Sequence, residues 1–512
     1  MESVMVAKIN NKDIQQTANQ FARLLDASDV PVRGVVAALL PNCAEFLYCS
    51  RGTTWSGRTF TPINWHLKIS DISYIIENSE ACVLVAHADF SALAQSVAHL
   101  VPENNRFSVG GDIPGFRLLD EMQSYASDSL DRPLAGTIMM YTSGTTGRPK
   151  GVRPTALKVE PPPCAVSKAG IGLLTTYLEG GHRGSHLVAA PLYHAAASTY
   201  AEGSALLGAD VVIMERWDAE ELLRLIEKEK VISTFLVPTH FVRLLKLPEE
   251  VRSKYDLSSL KFVCHGAAPV SRAVKRKMIE WLGPVLFEFY GGTEGGGISI
   301  SSQDWLEHPG SVGKPRPGQA VYILDDNGNS CATGEAGNIY FGASDNRFEY
   351  KDDPDKTASA YLGDKYTLGD MGYVDDEGYL YICDRKADTI ISGGVNIYPA
   401  EIEAVLLTHA AVEDCCVVGV RDNEWGERVV ASIKLIDGSQ ESEALTEDIA
   451  RHCRNDLASY QVPRQFVYAQ ALPRTDTGKL MRREIREQYR TLCSDQLVDA
   501  ATEKLSHLHK PE

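Results

Sequence analysis

The sequence predicts an α/β fold: a large N-terminal domain of parallel-rich αβα sheets with a distorted β subdomain, then a small C-terminal α+β domain. Three observations predict it. Between about residues 30 and 290, short apolar runs alternate with helical patterns. After about 310, turn-rich segments separate short β-like runs. Beyond Asp384 the alternation resumes on a smaller scale. Apolar strands alternating with helices imply parallel sheets covered on both faces, whose ligands bind at the carboxyl ends of the strands.

The elements follow in order. Val35–Leu40 reads as a strand before an amphipathic stretch at Cys43–Trp55, and Ala81–Ala86 as a strand before Phe90–Leu100. Gly184–Ala201 reads as a buried strand and turn leading into a helix, too interrupted by Pro191 and His194 for a membrane span. Val211–Met214 precedes a helix over Asp218–Lys230, where Asp218 and Glu221 form a D-x-x-E capping box and Leu222, Leu223 and Ile226 share an apolar face. Ile232–Val237, Phe262–His265 and Val285–Phe289 complete the strands. Gly313–Gly318, Asp325–Gly328 and Asp375–Gly378 punctuate a mostly β subdomain. Past Asp384 come a helix near Pro399–Thr408, strands near Glu413–Val420 and Val429–Ile436, and a helix near Leu445–Leu457. The domains predicted are 1–384 and 385–512.

The chain has 512 residues with 51 Lys+Arg against 68 Asp+Glu, a net charge of −17, which argues against a nucleic-acid surface. Single cores stop growing near roughly 250–300 residues, so at least two domains are expected. Eleven scattered cysteines without a C-x-x-C pair read as reduced thiols of a cytoplasmic protein, and the N-terminal residues do not read as a secretory signal. There is no H-E-x-x-H and no Walker A pattern.

The strongest local signal is Thr137–Val152, TIMMYTSGTTGRPKGV. An apolar strand runs into a loop with three glycines, four hydroxyl side chains (Thr142, Ser143, Thr145 and Thr146) and Lys150. Glycines such as Gly144 and Gly147 let backbone N–H groups crowd an anion, hydroxyls add donors, and lysine supplies a compact charge suited to phosphate. In Tyr290-Gly291-Gly292-Thr293-Glu294 an aromatic face could stack a base and the carboxylate could hold Mg²⁺; the plainer reading is a glycine-rich turn. Asp370, in Leu368-Gly369-Asp370, suits two vicinal hydroxyls, but taken alone an Asp in this context is more often a turn residue. A lone histidine such as His194 is more often structural, and Lys479 alone would read as a solvated lysine.

Tyr141–Val152 resembles the phosphate-binding signature of the adenylate-forming superfamily: acyl-CoA synthetases, luciferases and nonribosomal-peptide adenylation domains. Four further segments follow in that family's order: Pro191–His194, Tyr290–Glu294, Leu368–Asp370 with Asp384-Arg385, and Pro473–Lys479. The likeness spans about residues 30–490, and Asp384–Glu403 particularly resembles bacterial fatty-acyl-CoA synthetases. The resemblance implies that Thr142, Ser143, Gly144, Thr145, Thr146, Gly147 and Lys150 hold phosphates. It implies that Gly266, Ala267 and Ala268 lie along adenine, that Tyr290 stacks it beside Gly291, and that Asp370 and Arg385 hold the ribose. Thr293 would contact phosphate, Glu294 would ligate Mg²⁺, and His194 would border the acyl pocket. Lys479 would reach into the site during adenylation, and Gly393 and Gly394 would later admit coenzyme A.

The implied activity is ATP-dependent conversion of a hydrophobic carboxylic acid to an acyl-adenylate, then to an acyl-CoA, in a cytoplasmic enzyme. A homodimer is a family-level expectation. Two positions depart from the family pattern. The pivot of the small domain, two residues after Arg385, is usually Asp or Lys but is Ala387 here, with Lys386 beside it. Arg153–Pro163 replaces what is commonly a polar helix. The first departure keeps an alternative open: an adenylating enzyme that passes its product to a carrier protein or partner enzyme. A non-catalytic binding relative is disfavoured because Lys150, Glu294, Asp370, Arg385 and Lys479 are all present.

Overall fold

The computed structural model describes residues 6–490 except 143–147, 156–159, 165–167, 169–170, 173, 176–177, 179–181, 183, 316–318, 343–346, 423, 437 and 475–479. Two parallel-rich sheets form the bulk of the large domain. The first has strands Arg117–Leu118, Arg106–Val109, Ala81–His87, Val35–Leu39, Thr59–Pro62 and Thr137–Ile138 in spatial order, all parallel. The second runs Val6–Ile9, Asp210–Met214, Ser185–Val188, Val231–Leu236, Phe262–His265, Leu286–Gly292 and Gly295–Ser301. Its inner pairs are parallel and both edge pairs antiparallel.

The predicted alternation therefore holds, because inner strands such as Val35–Leu39, Ala81–His87 and Phe262–His265 are largely apolar and buried on both faces. Val35–Leu39 is buried throughout. One continuous core, including Phe21, Phe46, Phe60, Val85, Val188 and Ile213, joins the two sheets through helices Asn11–Ala27 and Ala44–Trp55. Within that seam Arg51 is almost fully buried and forks onto Glu202, Nε–Oε1 2.8 Å and Nη2–Oε2 2.9 Å. Breaking such a buried pair from one side leaves an uncompensated charge, so it ties the two sheets in one arrangement.

The helix predicted at 218–230 is Ala219–Glu229 with Asp218 as N-cap, its Oδ1 accepting from the Glu221 N–H at 2.8 Å. The predicted box is only half made. The Glu221 carboxylate turns to Arg224 instead, at 2.6 Å from Nε, because a charged fork three residues on outcompetes a backbone N–H.

Past residue 320 the β subdomain is an antiparallel sheet of Val321–Leu324, Gly337–Gly342, Lys365–Val374, Tyr361–Leu362 and Leu380–Arg385. A small separate sheet sets Lys150–Pro154 between Met140–Thr142 and Phe348–Tyr350. Here the departure at Arg153–Pro163 takes physical form. The chain stays extended to Pro154, and Arg153 pairs with Glu349 across the ladder at 2.7 Å.

The small domain is a sheet of Val395–Ile397, Ile390–Ser392, Gly426–Leu435, Val412–Asp422 and Gln465–Tyr468. Helices Pro399–Leu406 and Glu443–Asp456 and helix Arg482–Arg490 pack against it. Its interior is pinned by Arg482, whose Nη2 donates to Glu403 Oε2 at 2.7 Å while Glu403 Oε1 accepts from the Val417 N–H at 2.7 Å.

Candidate active site

Of the segments singled out in the sequence, Tyr290–Glu294, Asp370 with Arg385, and Lys150 come together where the second sheet ends against the β subdomain. Strand Phe262–His265 exits into Gly266-Ala267-Ala268. A side chain at Gly266 would stand 2.5 Å from the Phe289 carbonyl oxygen, so glycine is required for the two strand ends to approach. Ala267 holds φ of +69°, a left-handed conformation that costs a non-glycine residue roughly 1–3 kcal/mol. Strain of this kind concentrates at functional sites.

Strand Leu286–Gly292 carries Tyr290 beside this turn, and the strand continues through Gly292 into a hairpin with Gly295–Ser301. The Tyr290–Glu294 motif was expected just after a strand end; its first half lies in the strand itself. Glycines with positive φ at 295, 296 and 297 let the hairpin reverse tightly. The Tyr290 hydroxyl donates to Asp370 Oδ2 at 2.7 Å, and Arg385 Nε meets Asp370 Oδ1 at 2.8 Å. Asp370 and Arg385 are cross-strand partners, which is why residues fifteen apart in sequence face each other. Burial, then the Asp370 charge, pushes the Tyr290 hydroxyl up, so it remains a donor.

A second cluster lies across the hairpin. Thr293 Oγ1 donates to Glu294 Oε2 at 2.8 Å, and the Tyr350 hydroxyl donates to Glu294 Oε1 at 2.9 Å. The Lys150 ammonium stands 5.7 Å from the centre of the Tyr350 ring. Burial, then the charge of Lys356, holds Lys150 below its usual value. Lys150 pairs with Thr142 across the ladder, so strands Met140–Thr142 and Lys150–Pro154 close the loop between them. Ser143, Gly144, Thr145, Thr146 and Gly147 lie outside the described residues.

His194 precedes helix Ala195–Leu206 as its N-cap residue. Its ring is buried, and its Nε2 has no hydrogen-bond partner among the described residues. Burial, then the His66 charge, lowers it to about 4, so it is neutral at physiological pH.

Gly393 and Gly394 form the tip between Ile390–Ser392 and Val395–Ile397, both with positive φ as a two-residue hairpin turn requires. The Gly393 N–H donates to the Trp425 carbonyl at 2.8 Å. Lys479 falls outside the described residues. The segment that carries it is closed by a bridge between Arg474 and Leu480, and Arg474 Nε is anchored on Asp414 Oδ2 at 2.8 Å. At the position where the resemblance puts a pivot, the Ala387 carbonyl accepts from Arg486 Nη1 at 3.3 Å, and Lys386 Nζ pairs with Asp326 Oδ1 at 2.6 Å.

Three side chains were not anticipated. Tyr350 holds Glu294. Tyr366 accepts the Gly296 N–H at 2.7 Å and steadies the hairpin. Lys275, fully buried, pairs with Glu288, two residues before Tyr290. The alternation Phe348-Glu349-Tyr350 ahead of the Asp353-Pro354 helix start was a readable strand signal for the first. Nothing local marks the other two.

A divalent cation would find a single carboxylate here. Among the described residues there is no group of three or more metal-ligating side chains, and Glu294 is met by two neutral hydroxyls with no salt bridge. That donor set fits Mg²⁺, which binds through one or two carboxylates and substrate phosphates.

Parallel sheets, a β subdomain and a small C-terminal domain, with these clusters at their junction, constitute the architecture of an adenylate-forming enzyme. The chain belongs to the AMP-binding enzyme family: that family's description matches residues 6–346, and its C-terminal domain matches 401–479. It is 32% identical over 483 residues to the long-chain-fatty-acid–CoA ligase FadD13 of Mycobacterium tuberculosis, covering 92% of this chain and 91% of that one. It is 28% identical to the fatty acid–[acyl-carrier-protein] ligase ScoC of Streptomyces coeruleorubidus, covering 93% and 91%. Among solved structures, the anthranilate CoA ligase AuaEII in complex with anthranoyl-AMP superposes with a TM-score of 0.82 at 26% identity, covering 93% of this chain and 92% of that one.

Proposed function

We propose that this chain is an AMP-forming acid–thiol ligase that activates a hydrophobic carboxylic acid with ATP and transfers the acyl group to coenzyme A. The observation that carries it is the convergence of Tyr290, Asp370 and Arg385 beside Lys150, Thr293 and Glu294 from segments far apart in sequence.

In the first step the substrate carboxylate oxygen forms a bond to the α-phosphorus of ATP. The α–β phosphoanhydride bond breaks, pyrophosphate leaves, and an acyl-AMP remains. Such phosphorus chemistry depends mainly on positioning and charge neutralisation. Asp370 and Arg385 orient the ribose, Tyr290 stacks the base over the Gly266–Ala268 turn, and Lys150 with Thr142, Ser143, Gly144, Thr145, Thr146 and Gly147 cradles the phosphates. Thr293 contacts the α-phosphate end, and Glu294 would hold Mg²⁺, which when bound neutralises phosphate charge. Lys479 bridges carboxylate and α-phosphate. His194 borders the acyl group; a buried ring nitrogen without a partner among the described residues is what a bound substrate could satisfy.

In the second step the coenzyme A sulfur, its proton given up to solvent, bonds to the acyl carbon as AMP leaves. The small domain, taken as 385–512, pivots near Lys386-Ala387, withdrawing Lys479 and bringing Ser392-Gly393-Gly394 toward the thiol. Ala387, together with the likeness to a ligase named for an acyl-carrier protein, favours one second reading: delivery of the adenylate to a carrier protein. A cytoplasmic homodimer completes the proposal. Among the described residues no helix is long and apolar enough to cross a membrane, and no disulfide is made.

Acid-dependent ATP–pyrophosphate exchange tests the first step. Lys479→Ala should reduce it roughly 10²–10³-fold, as loss of one preorganised donor does; undiminished exchange refutes its role. Acyl-CoA formation by the purified chain separates the two acceptors, since an adenylate that accumulates in the presence of coenzyme A favours the carrier.

A further inference from the structure

Tyr350 stands between the two charged groups at the phosphate end. Its hydroxyl donates to Glu294 Oε1 at 2.9 Å, and the face of its ring lies 5.7 Å from the Lys150 ammonium. The backbone leaves it little freedom. Strand Phe348–Tyr350 pairs with Lys150–Pro154, with Tyr350 opposite Val152, and the Tyr350 N–H donates to Thr357 Oγ1 at 2.9 Å. Phe348 packs edge-on against the ring at 5.5 Å.

A lysine and a glutamate that both meet one side chain would, with that side chain gone, be drawn into an ion pair in which each cancels the other's charge. A phenol satisfies both without cancelling either. Its O–H gives the carboxylate a neutral donor, and its electron-rich face gives the ammonium a weak, easily exchanged partner.

Building on the proposed function, we infer that Tyr350 is a positioning residue that spaces Lys150 from Glu294, so that the ammonium reaches ATP phosphate and the carboxylate reaches the accompanying divalent cation. The ring and the hydroxyl then have separable effects.

The test is ATP binding by titration calorimetry, once with Mg²⁺ and once with EDTA, on the full chain and its variants. Tyr350→Phe keeps the ring and should bind ATP like wild type in EDTA, yet lose about 10-fold of the affinity that Mg²⁺ adds, as a lost charge-assisted hydrogen bond does. Tyr350→Ala removes the spacer and should lose about 10-fold in EDTA as well. Adding Glu294→Gln to it should restore part of that loss, because Lys150 then has no carboxylate to close upon. In exchange assays Tyr350→Phe should lower kcat at limiting Mg²⁺ and recover at high Mg²⁺. Near-UV circular dichroism checks folding; if the alanine variant is misfolded, the phenylalanine variant alone decides. A folded Tyr350→Phe whose Mg²⁺ increment equals wild type overturns the inference. Wild-type chain that binds ATP but shows no acid-dependent exchange would instead overturn the proposed function, and the binding data would still judge Tyr350.

Discussion

The two ends of the site are built on opposite electrostatic plans. At one end Asp370 is already paired with Arg385 and with the Tyr290 hydroxyl. At the other, Glu294 is held by the hydroxyls of Thr293 and Tyr350, and the nearby Lys150 faces a ring. A carboxylate with a charged partner is a fixed part of the wall. One held by neutral donors keeps its charge to offer. The first plan suits recognition of a neutral sugar, where a few hydrogen bonds orient the ligand. The second suits a polyanion and its cation, which need charge that the protein has not spent internally. Net charge of −17 over the whole chain says nothing about either, because each cluster is local.

The comparison makes the two ends separable by kinetics. The largest effect is expected at the Glu294 end: Glu294→Gln keeps shape but removes the charge, and if Glu294 serves the transition state as proposed, it should cut kcat for pyrophosphate exchange by about 100-fold. A change confined to KM would move Glu294 to ground-state binding. Asp370→Asn should act the other way, raising KM for ATP about 10-fold with kcat nearly kept, as loss of uniform binding does. If kcat fell in step, the ribose end would be part of the chemistry and the contrast would fail.

The smallest effect concerns the packed interior behind both ends. Burial lowers His186 and His240 to about 3 and His182 and His194 to about 4, against an ordinary value of 6.5. Between pH 6.5 and about 4 the unfolded chain therefore binds more protons than the folded one, so stability rises with pH across that window. It is fully present above 6.5 and lost progressively toward 4. Melting temperature should fall as pH drops from 7 to 4.5, and replacing His194 by Gln should flatten the fall. A level profile would mean these rings are hydrated in solution.

Much of this molecule was legible before its coordinates. The αβ alternation, the turn-rich region after 310 and the smaller domain past Asp384 follow from local patterning, which burial on both faces of a strand makes unambiguous. The glycine–hydroxyl loop stood out by its chemistry, whereas Tyr290, Asp370, Arg385 and Glu294 stood out through their place in a family's ordered motifs. The same reasoning overestimated the Asp218–Glu221 box, where Arg224 competed for the carboxylate, and placed the Tyr290 motif beyond a strand that in fact takes in its first three residues.

What sequence by itself determined is the class of fold and the inventory of reactive groups, because periodicity and residue type are carried by neighbours along the chain. What only tertiary structure decided is who stands beside whom. The register of Lys365–Val374 on Leu380–Arg385 puts Asp370 opposite Arg385, and a three-strand sheet built from residues two hundred apart brings Tyr350 to Glu294 and Lys150. Such pairings are set by strand register and by burial across the fold. No local pattern encodes them.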